Sequence, residues 1–285
     1  MEENLMSTSL VWKKIAEEWE TYFAEPSRIS PGEEEQYKKW LAELARGTKS
    51  LKGLVLGATP ELRDAMIEQG YELSSIDINV EMFRAMDELR EKKDSKEKLI
   101  EDNWLENSLE DDSFDVVAGD AVLPNVPWGE RDKLLSEIKR VLNPGGVFLT
   151  RAFYVPRKKR FSTIKEIFDH FSEKEPTAQS TTEMAFELLI LTYDPALHAG
   201  SFKEAKRLID EYNERYGSIF ESKGLQKMHD TIENYWLTKL IDKTWIFAYQ
   251  GEEEEQYRKH FVIKEKFESP DHDYSHLTPM YFLQS

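Results

Sequence analysis

Two short stretches carry the residue types that could hold a nucleotide-like ligand. The first is Gly57-Ala58-Thr59-Pro60-Glu61-Leu62, directly after the apolar run Leu54-Val55-Leu56. A glycine permits a sharp exit from a buried strand. Thr59 suits an N-cap, and Pro60 suits the first helical position, where no backbone N–H is needed. Free N–H groups at such a helix start can receive an anionic group. The second is Asp77, near the end of the strand-like segment Tyr71 to Ile78. A carboxylate there, about 20 residues after the first turn, can bind the two hydroxyls of a ribose.

Three further places offer polar chemistry. Asn103 and Trp104 follow the short segment Lys98 to Glu101, and Gly119 and Asp120 close the segment Phe114 to Asp120. Near the C-terminus stands Pro270-Asp271-His272-Asp273-Tyr274-Ser275-His276. Its histidines and aspartates admit three readings: a metal site, a plain polar turn, or substrate contact with proton transfer. A loop gives no fixed ligand spacing, so no metal is expected. His272 or His276, as a neutral imidazole, could take a proton from a hydroxyl or amine.

What the first turn lacks narrows the ligand. Dinucleotide sites want G-x-G-x-x-G, so that backbone can approach a pyrophosphate closely. Here Gly57 is the one glycine, Pro60 has no N–H and Glu61 is anionic. A nicotinamide cofactor is disfavoured. S-adenosylmethionine, with a ribose and a carboxylate but no phosphate, fits these residues better.

Positioning these residues requires a sheet. Strand-like segments at Leu54–Leu56, Tyr71–Ile78, Lys98–Glu101, Phe114–Asp120 and Val147–Phe153 alternate with helix-period segments at Pro60–Gly70, Val80–Lys93 and Arg131–Val141. Such alternation implies a parallel, doubly wound sheet. Leu142 to Gly146 is expected to be a turn. The N-terminal segments Ser9–Ala24 and Glu33–Ala45 are predicted helices, separated by a turn at Pro26–Gly32. After the fifth strand, helices are predicted over Phe161–Phe171, Thr182–Leu191, Ser201–Tyr216 and Thr231–Ile241. A helix over Glu252–His260 and strands at Phe261–Phe267 and Pro279–Leu283 complete the sheet. If the first of these strands is parallel, the turn His272–His276 falls on the carboxyl edge beside Gly57, Asp77 and Asp120.

In this order the chain resembles the class I S-adenosylmethionine-dependent methyltransferase family. The resemblance is carried by the glycine turn, the acidic end of strand two, the polar–aromatic end of strand three, Ser113-Phe114-Asp115-Val116-Val117, and Leu142-Asn143-Pro144-Gly145-Gly146-Val147-Phe148. It covers roughly Leu51 to Phe153 and, less clearly, the last forty residues. The first loop is similar to a branch with G-x-T-P-E-L in place of the usual G-x-G-x-G. The resemblance implies an α/β fold: a doubly wound, mostly parallel seven-stranded sheet with an antiparallel last strand. It implies that Gly57 and Thr59 line the methionine portion, and that Asp77 binds the ribose with Ile78 beside the adenine. Asn103 would hydrogen-bond the adenine edge, Trp104 would pack on the ring, and Gly119 and Asp120 would face the methionine and methyl group. Three parts follow: an N-terminal helical extension (1–50), a methyltransferase-like core (51–154 and 246–285) and a helical insertion (155–245) expected to act as a lid.

The chain has 285 residues with 55 acidic and 38 basic side chains, a formal net charge of −17. That surface argues against a nucleic-acid substrate, which needs basic side chains. The absence of cysteine excludes disulfides and thiolate chemistry. No apolar run reaches membrane-spanning length and no signal peptide is evident, so a cytoplasmic protein without a membrane partner is expected. The expected activity is methyl transfer to a small-molecule acceptor. Strand four lacks the Asn/Asp-Pro-Pro-aromatic run that marks relatives acting on nucleobases or glutamine amides. A non-catalytic protein that binds S-adenosylmethionine is the alternative, and a homodimer is compatible with either.

Overall fold

The computed structural model describes residues 19–47, 50–93, 96–217 and 222–285. Most of the helix predicted over Ser9–Ala24 lies outside them. In chain order the elements are α1 (Trp19–Tyr22), α2 (Pro31–Ala45), β1 (Lys52–Leu56), α3 (Pro60–Glu68), β2 (Glu72–Asp77), α4 (Val80–Asp87), β3 (Glu97–Glu101) and β4 (Phe114–Asp120). Then follow α5 (Arg131–Val141), β5 (Leu142–Arg151), α6 (Ile164–Ser172), α7 (Ala178–Leu191), β6 (Ala199–Ser201) and α8 (Phe202–Tyr216). The last are α9 (Lys223–Asn234), α10 (Trp236–Lys239), β7 (Thr244–Ile246), α11 (Gln250–His260), β8 (Val262–Phe267) and β9 (Met280–Gln284).

The described residues form two compact units. One comprises Ile29–Phe153 and Gly251–Ser285. Its seven-stranded sheet runs β3-β2-β1-β4-β5-β9-β8. β1 to β5 are mutually parallel, and β9 is antiparallel to both β5 and β8. β8 therefore runs with the parallel strands. The mostly parallel seven-stranded sheet read from the sequence, with its antiparallel last strand, is the one observed.

Both faces of the sheet are covered, which is why its strands read as continuous apolar runs. Val55, Val116, Ala118, Val147 and Leu149 pack with Tyr37, Trp40 and Leu41 of α2 and Leu62, Ala65 and Met66 of α3. Leu54, Val117 and Phe148 alternate with them, point to the opposite face, and are buried as well. Trp40 also donates its indole N–H to Glu265 of β8 at 3.0 Å, tying α2 to the sheet edge.

Several boundaries differ from the sequence expectation, for local reasons. α2 begins at Pro31 rather than Glu33, because Ser30 and Glu33 form a reciprocal capping box. α4 stops at Asp87, and the Arg90 side chain turns inward to Asp64 and Glu97. Leu142–Gly146 is not a free turn but the bulged start of β5, with a register shift between Phe114 and Val116 on β4. Only glycine fits at Gly146, where a Cβ would come within 2.8 Å of the Asn143 carbonyl oxygen.

The other unit comprises Trp19–Arg28 and Tyr154–Gln250. Phe23 stacks on Trp19 at 4.3 Å between ring centroids and contacts Tyr235 and Trp236. Thr182 of α7 accepts from the Ala24 amide at 3.2 Å. The helix expected over Thr231–Ile241 is two helices, α9 and α10, broken at Tyr235. β6 and β7 form a small antiparallel pair that the sequence did not signal. In the basic run Arg157–Arg160, Lys159 donates to the carbonyls of Leu191 (2.7 Å) and Tyr193 (3.4 Å), closing the C-terminal end of α7.

Candidate ligand site at the carboxyl edge of the sheet

In a parallel sheet the ligand-binding crevice lies outside the carboxyl ends of the strands. β1 delivers Gly57 there, with φ at +89°, a left-handed conformation that favours glycine. The Gly57 amide donates to the Ile76 carbonyl at 3.0 Å. The same carbonyl accepts the Trp104 indole N–H at 2.8 Å. A Cβ added to Gly57 would lie 3.6 Å from the Trp104 ring and 4.0 Å from Asp77 Oδ2. Gly57, Asp77 and Trp104 thus converge, although 47 positions separate the first from the last.

β2 ends in Asp77, which is 7% exposed and accepts the Asn79 amide at 2.9 Å. The next residue, Ile78, is 61% exposed. A sheltered carboxylate thus stands beside an open apolar side chain. Asn103 is exposed, and its side-chain oxygen accepts the Leu105 amide at 2.9 Å. Thr59 precedes α3, with Pro60 at the helix start, but makes no side-chain cap hydrogen bond. The capping expected of its hydroxyl does not occur.

One strand over, β4 pairs with β1 in the register Val55↔Ala118, which continued two residues sets Asp120 opposite Gly57. At Gly119 a Cβ would collide with Val122 at 2.2 Å, so packing requires glycine there. Asp120 is followed by Ala121 at φ +51°. A non-glycine residue in that region stores strain of the kind that collects at functional sites.

Asp120 is clamped by Arg151 at the end of β5. Arg151 Nε donates to Oδ1 at 2.7 Å and Nη2 to Oδ2 at 3.0 Å. Arg151 Nη1 also donates to Glu33 Oε2 at 3.0 Å. His272 Nε2 lies 3.3 Å from Glu33 Oε1. This chain of four side chains, His272–Glu33–Arg151–Asp120, the first three buried and Asp120 partly exposed, joins α2, β4, β5 and the β8–β9 turn. Burial pushes the Asp120 carboxyl above its ordinary range, against the pull of Arg151 and with a further push from Glu33. For Glu33 burial pushes the same way, but Arg151, His272 and the Ser30 amide outweigh it and hold the carboxyl low. His276 is exposed, with Nδ1 3.1 Å from the Asp273 carbonyl of its own turn. Only His272 of the two histidines joins the chain of charges.

Glu33, Arg151 and Tyr37 were not singled out from the sequence. Ser30-Pro31-Gly32-Glu33 carries the capping-box spacing, with proline at the first helical position. Arg151 stands in the apolar run Val147–Phe153, where a charged side chain demands a buried partner.

Residues 56–150 match the family model described as a methyltransferase domain. Over 220 residues the chain is 25% identical to phosphoethanolamine N-methyltransferase 2 of Caenorhabditis elegans, with 74% of this chain and 49% of that protein covered. The chain therefore spans about half the length of this curated relative. A Rhodobacter sphaeroides structure provisionally assigned as a Zn-dependent alcohol dehydrogenase superposes with a TM-score of 0.61 at 14% identity, covering 97% of this chain and 98% of the other. The N-methyltransferase NodS of Bradyrhizobium japonicum, solved with S-adenosylhomocysteine, gives 0.50 at 11% identity, covering 96% and 98%. These two likenesses show the fold alone, a mostly parallel α/β sheet with helices on both faces. Among the described residues no three His, Asp or Glu side chains gather as metal ligands, and no helix is long and apolar enough to cross a membrane.

Proposed function

We propose that this protein transfers a methyl group from S-adenosylmethionine to a small-molecule acceptor. The observation that carries this is the convergence of Gly57, Asp77 and Trp104 beside Asp120, within a stretch that matches a methyltransferase domain. The residues fit the cofactor. Asp77 accepts the ribose hydroxyls, and Ile78 and Trp104 offer apolar surface to the adenine, with Asn103 at its edge. Gly57 and Thr59 line the methionine portion, which needs no phosphate cradle, so Pro60 and the anionic Glu61 are no obstacle. The loop Gly57–Leu62 is then a G-x-T-P-E-L variant of the family's binding turn. Gly119 contributes backbone, and Asp120 contributes its carboxylate.

The bound cofactor supplies an activated methyl on a sulfonium. The protein's own contribution is mainly to hold the acceptor's nucleophile in line with that methyl and the departing sulfur. Of the two histidines, His272 is the better candidate to receive the acceptor's proton, because its imidazole is sheltered and linked through Glu33 and Arg151 to Asp120. The Caenorhabditis elegans relative is named for an amine acceptor. Small primary amines are therefore the first acceptors to try, followed by hydroxyl compounds.

Calorimetry with S-adenosylmethionine, S-adenosylhomocysteine and NADH tests the cofactor: the first two bind and the third does not. Release of S-adenosylhomocysteine in the presence of an acceptor panel tests the transfer. Binding of NADH in preference to both sulfur ligands would overturn the proposal.

A further inference from the structure

Residues 268–279, between β8 and β9, form neither helix nor strand, yet they are fastened at two places. Near one end the Asp271 carboxylate bonds to the start of α2: Oδ1 accepts from Ser30 Oγ at 2.9 Å and Oδ2 from the Gly32 amide at 2.7 Å. At the other end the Pro279 carbonyl accepts the Ala152 amide at 2.9 Å, directly after Arg151. Between these anchors His272, Tyr274, Leu277 and Thr278 are buried. Such attachment is unusual for a connecting segment, which ordinarily runs loosely over the surface.

Asp271 is the first link of a run of hydrogen bonds. Ser30 Oγ, which donates to Asp271, accepts the Glu33 amide at 3.2 Å, and the Ser30 amide donates to Glu33 Oε2 at 2.8 Å. Asp271 therefore fixes the residue that fixes Glu33. Glu33 Oε2 also accepts from Arg151 Nη1, and Arg151 holds both oxygens of Asp120. The Glu33 and Arg151 side chains are at most 1% exposed, so neither has much freedom to yield. No link in this run involves His272. Packing reinforces the first link. A Cβ on Gly32 would collide with Ser269 Oγ and lie 2.9 Å from Asp271 Oδ2. Gly32 thus lets the turn approach the helix start, although alanine would be the better helix former.

The run ends at Asp120, partly exposed at the carboxyl edge, where the crevice of a parallel sheet opens. Taking that crevice as the ligand site of the function proposed above, we propose that Asp271 is a positioning residue. Through Ser30, Glu33 and Arg151 it sets the aim of Asp120 toward the bound ligand, without touching the ligand itself. A binding group gains precision when its supports are themselves held by hydrogen bonds and packing. Asp271 is exposed, so removing its side chain opens no cavity in the core.

A double-mutant cycle read by calorimetry with S-adenosylhomocysteine tests this. Asp271→Ala should weaken binding about threefold to tenfold, the range of coupling within one hydrogen-bonded network. Gly32→Ala should do the same, because its methyl displaces the Asp271 carboxylate while favouring the helix. In an Asp120→Asn background the loss from Asp271→Ala should shrink to less than about twofold, since the residue it acts through no longer carries the interaction. Asp271→Asn serves where the alanine variant does not fold. An equal loss in both backgrounds would reduce the turn to a support of the fold and overturn the proposal. So would unchanged affinity in Asp271→Ala, or in Asp120→Asn alone. Failure of the unaltered protein to bind S-adenosylhomocysteine would instead overturn the cofactor assignment.

Discussion

Two buried charge clusters in the sheet unit are built from the same parts and end differently. On the β2–β3 flank, Arg63 donates twice to Glu97 and once to Asp87, and Arg90 donates to Glu97 and Asp64. Its sheltered members are two guanidiniums and one carboxylate. Of the balancing carboxylates, Asp87 sits toward water with 42% of its side chain exposed, and Asp64 is mostly covered. At the carboxyl edge the sheltered members are two carboxylates and one guanidinium, with an imidazole beside them. The flank cluster meets its sheltered guanidiniums with two further carboxylates, Asp64 and Asp87, whereas the edge cluster adds a third carboxylate, Asp271, to its single guanidinium. Both clusters join separate elements, and they differ in which charge is sheltered and which faces the rim.

The sharpest test of the contrast is Arg63→Ala. Removing one partner of a buried ion pair costs roughly 3–5 kcal/mol, because the other is left uncompensated. Urea unfolding should register that loss, while the folded protein keeps its affinity for S-adenosylhomocysteine. A weakened ligand affinity in the folded variant would break the division between the two clusters.

Asp77→Ala should do the reverse. A hydrogen bond to a charged group contributes about 1.5–3 kcal/mol, so S-adenosylmethionine should bind one to two decades more weakly, with little change in unfolding midpoint. Trp104→Ala belongs beside it. Its indole N–H is bonded to the Ile76 carbonyl, so some loss of stability accompanies the loss of affinity. Stability lost with affinity intact would make Trp104 a wall of the turn and nothing more.

Acid separates the clusters in sign. Glu97 is buried, which would raise its carboxyl, yet Arg63, Ser75 and Arg90 hold it below its ordinary 4.5. Its stabilising contribution is present above the unfolded value and is lost as pH falls through the lower folded value. Asp120 shifts upward from 3.8 through burial. Its contribution is present below the unfolded value and is lost as pH rises through the higher folded one. The stability difference between the unaltered protein and Glu97→Gln should therefore shrink on acidification through the carboxylate range, and that for Asp120→Asn should move the other way. Parallel trends for the two variants in urea titrations would refute this.

The smallest effect is expected at Thr59. A working N-cap contributes about 1 kcal/mol. Thr59 makes no such bond, so Thr59→Val should stay within about 0.5 kcal/mol of the unaltered protein in unfolding experiments.

The sheet was legible because its signals are local. Apolar runs of strand length, glycine exits and helix-period segments recur in order, and each constrains its neighbours. Asp77 was legible for the same reason, as a carboxylate at a fixed distance from a glycine turn. The edge cluster was not, because its members come from four separated segments. Glu33 reads locally as a helix-start glutamate, and Arg151 as an oddity in a strand. Nothing in either segment says that they meet. His272 and His276 look equivalent in sequence, and only the course of the β8–β9 turn buries one and exposes the other.

β9 lies between β5 and β8, yet most of the helical unit, Tyr154–Gln250, is encoded between β5 and β8. During synthesis the ribosome therefore delivers five parallel strands, then Tyr154–Gln250 of the second unit, and only then the pair that seals the sheet. Until then β5 presents an unpaired edge, the kind of surface that recruits foreign strands. The bulge at Gly145–Gly146 twists its start, and Arg151 sets a charge at its end. A nascent chain arrested within the helical unit should thus be captured by chaperones more readily than the finished protein.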